Sequence, residues 1–386
     1  MMPHSPDTPP CPESSPLRPS ASLAEIWRVF LKLGCIGFGG PLAHIALIQD
    51  EAVEKHKWLS RPELLQGLAL SQALPGPAST QLAIYVGFRL RRYRGAIAAG
   101  CAFILPAFLL MIFLTWLYFR FQTIPAVQDL FYGVTPVVLA VILLSGYKLG
   151  KSVAADRKLL ATLIASAALV ALSSLNIILL FLLAGIFGIL AYGPKADRSK
   201  ISACLAAAPP EVLLQLAWFF VKVGSLIYGG GLVIVPFIEQ EVVNNLGWLT
   251  PKEFLDGLAL GQMTPGPVVI TATFIGFKVA SYAGALIATV AIFLPSFLFI
   301  FVGAAYMEKI EHSPYVQAFL KPVNAAAVGA ILGSFFTLSA RALLAPIPLV
   351  LFGVSLLAMW RYKVSFITVA AAGAAAGWVT QNLRVL

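Results

Sequence analysis

The chain has 386 residues, of which 59% are hydrophobic and 11% charged, with a mean hydropathy of +0.86 and a formal net charge of +10. Soluble domains carry about 25% charged residues, so this composition excludes a soluble enzyme or binding module and specifies an all-α polytopic membrane protein. The basic residues stand in short clusters between long apolar runs, the pattern of topology-setting loops, and no nucleic-acid partner is expected. Cys11, Cys35, Cys101 and Cys204, and His4, His44, His56 and His312, are scattered without metal-ligand or disulfide spacing, so no metal or cofactor is expected.

Residues 1–22 hold seven prolines and no apolar core, which reads as a disordered tail and not a signal peptide. Arg18 and Arg28 around the first apolar run favour a cytoplasmic N-terminus. Apolar stretches then fall at about 28–48, 64–88, 95–119 and 127–147, and at 159–192, which is long enough for two short spans meeting near Asn176. A polar connector, 193–211, closes with Pro209-Pro210. The remainder repeats the plan at about 213–238, 254–277, 283–307, 323–340, 343–360 and 364–380. The expected organisation is a tail (1–22), a first repeat (23–192), the connector and a second repeat (212–386), each repeat having five to six membrane segments.

The repeat is explicit. Residues 31–77 align with 221–267 without a gap, and 20 of the 47 positions are identical. The identities include Gly39-Gly40 with Gly229-Gly230, Pro75-Gly76-Pro77 with Pro265-Gly266-Pro267, and Lys32 with Lys222. Gly87-Phe88 and Pro106 recur as Gly276-Phe277 and Pro295 at a spacing of 189, so one residue is lost after the second PGP. Interrupted apolar segments at matching places in two halves point to a transporter's substrate site.

Two elements carry the chemistry. Consecutive glycines in an apolar run give up roughly 1 kcal/mol each of helix propensity relative to alanine and allow backbone geometry that frees N–H groups. Free N–H groups at bilayer depth need a partner, which an anion at the start of a resumed half-helix supplies. This reasoning selects Gly39, Gly40, Gly229 and Gly230, whereas Gly34 and Gly224 read as close-packing positions. The second element is Gln72-x-x-Pro75-Gly76-Pro77 and its copy Gln262-x-x-Pro265-Gly266-Pro267. Two prolines around a glycine stop a continuous helix, and a glutamine one turn upstream can serve the freed carbonyls or the substrate. Either PGP alone could be a packing kink; the doubling beside the glycine break favours a cavity.

Lys32 and Lys222 are intramembrane cations and hence substrate candidates, although Lys32 lies close enough to the start of its segment to snorkel to the interface. Arg89 and Lys278 read as interfacial anchors. Glu51 with Glu241, and Glu63 with Glu253, read as residues capping loop edges. After the first PGP the chain reads RLRRYR, a cytoplasmic marker, but after the second it reads KVASYA. That switch favours inverted repeats, while Lys195, Arg198 and Lys200 in the connector favour parallel ones; the expectation adopted is inversion. The chain offers no paired nucleophile and base for a membrane enzyme, and a passive scaffold would not need two PGP breaks.

The run Gly34, Gly37, Phe38, Gly39, Gly40, Pro41 followed by Gln72, Pro75, Gly76, Pro77, both duplicated, resembles the chromate transporter family in its long, two-domain form, across residues 23–380. The second copy departs at Ile227, Tyr228 and Gly231, so the halves are not equivalent. The resemblance implies a multi-pass protein of the bacterial cytoplasmic (inner) membrane that exports chromate and confers chromate resistance. Sulfate or another small inorganic anion is the alternative substrate. The expected partners are that anion and the lipid bilayer, with room for proton coupling and for a homo-oligomer.

Overall fold

A computed structural model describes residues 21–173, 175–193, 212–227, 231–311 and 313–383. Most of the expected tail, most of the connector, and Gly229 and Gly230 lie outside the described residues. Among those described there are helices and no strands.

The first repeat opens with α1 (Leu23–Ile36), capped by the Ser22 side chain, which accepts from the Glu25 N–H at 3.1 Å. The glycine run ends it: Gly39 and Gly40 take φ of 104° and 80°, and α2 (Pro41–Gln49) starts with proline in its first turn, where the missing N–H costs nothing. Then α2 continues as a π-helical turn, Asp50–Lys55. Because Glu25 and His56 pair at 3.3 Å, and Lys32 and Glu51 at 2.8 Å, the chain comes back beside α1. The 28–48 stretch is therefore a hairpin with its tip at the glycines. Each limb is about 21 Å long, too short for a hydrocarbon core of about 30 Å.

A second hairpin follows. Ser60 and Glu63 form a capping box for α3 (Arg61–Ala73), PGP breaks the helix, and α4 (Ala78–Phe121) returns. Gly67 packs against the Tyr85 ring and Arg89 pairs with Glu63 at 2.7 Å, so α3 and the first limb of α4 are antiparallel. At Arg91–Arg92 α4 leaves helical geometry, with φ of 52° at Arg92, and reverses: Gly87 and Gly95 touch backbone to backbone. Only its second limb, 93–121, about 43 Å long, crosses. It is followed by α5 (Pro125–Val153), α6 (Arg157–Leu172) and α7 (Ile177–Tyr192), the last capped by Asn176. Each repeat thus folds its apolar segments as two hairpins, one long limb and three further helices; among the described helices, Ala78–Phe121 and Pro125–Val153 of the first repeat and Val268–Ala304 and Pro314–Ala342 of the second are long and apolar enough to cross a bilayer.

The second repeat copies this plan. It runs through α8 (Val212–Gly224), a 3-10 turn (Gly231–Val233), α9 (Ile234–Phe237) with its π-helical turn (Ile238–Asn245), and α10 (Pro251–Met263). After PGP a 3-10 turn (Val268–Ile270) leads into α11 (Thr271–Glu311), then α12 (Pro314–Ala342), α13 (Pro346–Arg361) and α14 (Phe366–Asn382). The tighter 3-10 turn, with a larger rise per residue, absorbs the residue lost after the second PGP. Here α11 reverses at Ser281 (φ 51°), where Gly276 meets Gly284.

The repeats are inverted. The far end of α4 lies at the base of the second repeat's hairpins, where Tyr118 donates to Asp256 Oδ2 at 2.8 Å and Phe119 stacks on Phe277. The far end of α11 lies at the base of the first repeat's hairpins, where Phe301 meets Tyr93 edge-on at 5.1 Å. The end of α7 lies beside the α5–α6 turn, with Tyr192 donating to Asp156 at 2.6 Å.

Two bodies pack together. The hairpins with the long limbs of α4 and α11 form one, and α5–α7 with α12–α14 form the other, whose own two halves meet through small residues such as Gly133 against Gly373 and Gly188 against Ala318. The second body covers α9, whose residues Ile234–Phe237 are buried against α12. The corresponding α2 is open, with Leu42 82% exposed.

Candidate functional site

Where the helices break, the two repeats meet. The Gly266 N–H donates to the Gly37 carbonyl at 2.8 Å, and the Gly76 N–H donates to the Ile227 carbonyl at 2.6 Å. Position 227 is the copy of position 37, so each PGP glycine binds the other repeat's glycine break by the same bond. Gly76 and Gly266 have φ of 135° and 109°, a region that favours glycine. A Cβ at Gly76 would lie 2.7 Å from Ser296 Oγ, and one at Gly266 would lie 3.0 Å from the Ala107 Cβ. Ser296 and Ala107 are halfway along the two crossing limbs, which sets the junction at mid-depth.

Helix starts differ with depth. Most helices that begin at the ends of the molecule carry side-chain caps, among them Ser22, Ser60, Asp156, Asn176, Thr250, Ser313 and Ser365, while α5 and α13 start there on Ile124 and Ala345 without one. The helices that begin at the junction, α2 after Gly40 and α4 after Pro77, have none. Their first-turn N–H groups and positive dipole ends are left for another acceptor. Gly39 is exposed and Gly40 half-buried, so the start of α2 is open to a ligand.

Polar side chains gather around the PGP segments. Gln81 donates from Nε2 to the Pro75 carbonyl at 2.6 Å, meeting one acceptor freed by the break. Thr80 Oγ1, Gln81 Oε1, Ser296 Oγ and Gln262 Nε2 are buried with no hydrogen-bond partner among the described residues. Of the two glutamines singled out in the sequence, Gln262 presents this unpartnered donor, whereas Gln72 is exposed on α3. Pro75 is half-buried; Pro77, Pro265 and Pro267 are buried at the breaks.

His44 joins the junction although its spacing gave no signal. Its Nε2 lies 2.8 Å from the Gly37 carbonyl and its Nδ1 lies 3.1 Å from Ser79 Oγ. A carbonyl can only accept, so Nε2 carries a proton, and in the neutral ring Ser79 donates to Nδ1. Gly37 O thus receives His44 and Gly266 together. The second repeat has Ile234 at this position, one more way in which the halves differ.

The lysines lie away from the junction. Lys32 pairs with Glu51, which is buried in the π-helical turn and also bound by Lys55 at 3.1 Å. The wide turn carries Glu51 inward, so the cap expected from sequence is instead an ion-pair partner. The two line a cavity of about 550 Å³ with Arg28, Glu25 and His56. Lys222 has no such pairing and sits 5.9 Å from the Trp218 ring. Arg89 and Lys278 make matching bonds, both 2.7 Å, to Glu63 and Glu253. They fasten the hairpin bases, and both glutamates also cap their helices as the sequence suggested. Gly34 and Gly224 are packing positions: a Cβ on Gly34 would come within 2.5 Å of the Phe103 carbonyl, and Gly224 abuts Ile292.

The family profile described as "Chromate transporter" matches residues 24–189 and again 214–378. A chromate transport protein of Cupriavidus metallidurans is 38% identical over 339 residues, covering 84% of each chain. A probable chromate transport protein of Synechococcus elongatus is 36% identical over 361 residues, covering 89% of this chain and 92% of the relative. A chromate transport protein of Pseudomonas aeruginosa is 31% identical, covering 94% and 93%. No solved structure matches the chain significantly.

Proposed function

The chain belongs to the chromate transporter family, and from that membership we propose that it exports chromate across the bacterial cytoplasmic membrane and thereby confers chromate resistance. The observation that carries this reading is the mid-depth junction, which has two uncapped helix starts and the buried unpartnered polar atoms of Thr80, Ser296 and Gln262. A tetrahedral dianion suits such a cradle, because backbone amides and helix dipoles supply positive potential without burying several cations that would be uncompensated when the site is empty. Gly39, Gly40 and Gln262 are the proposed direct contacts. Gly76 and Gly266 hold the junction, with Pro75, Pro77, Pro265 and Pro267 keeping the helices broken; Gly229 and Gly230, outside the described residues, are proposed as binding residues only as the sequence counterparts of Gly39 and Gly40. Lys32 and Lys222 act in the approaches, and Gln72 lines the open side.

Charge gives the direction. At about 100 mV, inside negative, each elementary charge is worth about 2.3 kcal/mol, so expelling a dianion gains about 4.6 kcal/mol, more than about a thousandfold in concentration ratio. Arg89, Arg91, Arg92 and Arg94 put the α1 end in the cytoplasm. With α9 covered and α2 open, exchange of the two roles gives alternating access. Sulfate shares the shape and charge of chromate and is the alternative cargo. The test is uptake of labelled chromate by everted membrane vesicles: accumulation supports export, competition by sulfate measures its claim, and absence of uptake contradicts the reading.

A further inference from the structure

A carboxyl group that the anion site does not use lies at the opposite end of the molecule from Lys32. Asp256 is 2% exposed. Its Oδ2 accepts from the Tyr118 hydroxyl at 2.8 Å, and its Oδ1 has no partner among the described residues. It forms part of the wall of a cavity of about 260 Å³ lined also by Tyr118, Gln122, Gln128, Lys252 and Glu253. The ionisable groups acting on it are Tyr118 from α4 and, on its own helix, Lys252 and Glu253. Glu253 is already held by Lys278 of α11, and α5 contributes to the cavity only the uncharged Val127, Gln128 and Phe131. No ion pair reaches Asp256 among the described residues. An ionised carboxylate so placed is costly, and a proton on Oδ1 removes the charge while leaving the Tyr118 bond intact.

The duplication shows that the hairpin itself does not require an acid here. At a spacing of 190 the counterpart of Asp256 is Gln66, and at 189 the counterpart of Tyr118 is Met307. The Tyr–Asp pair therefore exists at one end only, bridging the long limb of the first repeat to the hairpin of the second. An intramembrane ionisable residue of this kind is a functional candidate.

We propose that Asp256 is the proton-binding site of the transporter, taking a proton on Oδ1 from water in the outer cavity and so making anion export depend on the pH outside. The inference rests on the export reading above. In the step itself one O–H bond forms at Oδ1 and one breaks in hydronium, with water released. Because Tyr118 belongs to the first repeat and Asp256 to the second, loss of the carboxylate charge alters a contact between parts that must move relative to each other.

The test uses the full chain in everted vesicles, whose lumen corresponds to the outside. Chromate uptake is measured at fixed bath pH while the lumen pH is stepped from about 5 to about 8. Asp256→Asn keeps the size and can still accept from Tyr118, and Asp256→Glu restores a titrating group. The expected result is uptake that varies severalfold with lumen pH in the parent and in Asp256→Glu, and uptake insensitive to lumen pH in Asp256→Asn at equal protein level. An Asp256→Asn profile that follows the parent overturns the proposal, as does a parent whose chromate uptake ignores lumen pH. Absence of chromate uptake in the parent instead overturns the export reading. If Asp256→Asn is not made in the membrane, Tyr118→Phe replaces it: an altered pH profile supports the proposal and a parental profile overturns it.

Discussion

The backbone N–H of Gly266 reaches the carbonyl of Gly37 at 2.8 Å, so the second repeat's PGP segment is tied to the first repeat's glycine break. The bond between Gly76 and Ile227 is its counterpart. Together they make the junction a shared element, and a defect in either repeat disturbs both.

Gly76→Ala and Gly266→Ala place a side chain at positive φ, at about 1–2 kcal/mol each, and push it toward Ser296 or Ala107. Each variant is expected to reach the membrane with a lowered melting temperature and with export strongly reduced. Thermal denaturation in detergent and vesicle uptake measure the two effects. Parental uptake in both variants would detach the junction from transport.

The pair Lys32–Glu51 separates folding from binding. Lys32→Ala leaves the buried Glu51 with Lys55 and His56 as its partners, and a destabilisation of about 1–3 kcal/mol is expected for a carboxylate that has lost its closest cation. Adding Glu51→Gln removes the stranded charge and restores stability. If Lys32 serves the anion, uptake remains low in the double variant although its melting temperature recovers. Recovery of both reduces Lys32 to a structural cation.

At the hairpin bases the second repeat uses lysine where the first uses arginine, with the same 2.7 Å bond. Arg89→Lys is therefore expected to be nearly neutral, whereas Arg89→Glu opposes Glu63 and costs about 1 kcal/mol or more. The difference is read from the melting temperatures of the two variants, and Arg89→Glu no less stable than Arg89→Lys would contradict the clamp.

Inversion has a direct chemical consequence in membranes. With Cys11, Cys35, Cys101 and Cys204 all replaced by serine, single cysteines at Arg94 and Tyr282 mark the two reversal points of α4 and α11. An impermeant maleimide is expected to label Tyr282→Cys in intact cells and Arg94→Cys only in everted vesicles. Labelling of both from one side would contradict the antiparallel arrangement of the long limbs.

Much of this was legible before the structure. The doubled PGP and glycine runs located the breaks, because proline and glycine act locally, and Asn176 marked the meeting point of two short helices. What could not be read is direction. An apolar run is equally apolar whether it crosses or turns back, so 28–48 and 64–88 passed for spans, and the reversal at Arg91–Arg92 lay hidden among topology-marking arginines. The partners Tyr118 and Asp256 are 138 residues apart, and no local period reports such a contact. His44 is a lone histidine whose role comes from Gly37 and Ser79, and the inward turn of Glu51 depends on a π-helical turn that its sequence does not announce.

The most direct measurement is potential-driven flux. In proteoliposomes holding the purified chain, with pH equal on both sides and a potassium diffusion potential imposed, labelled chromate is predicted to move toward the positive compartment and to reverse when the potential is reversed. The same movement is predicted to be lost in Gly76→Ala. Chromate flux that ignores the sign of the potential, or no flux in the parent chain, would contradict an electrogenic dianion exporter with its site at the helix breaks.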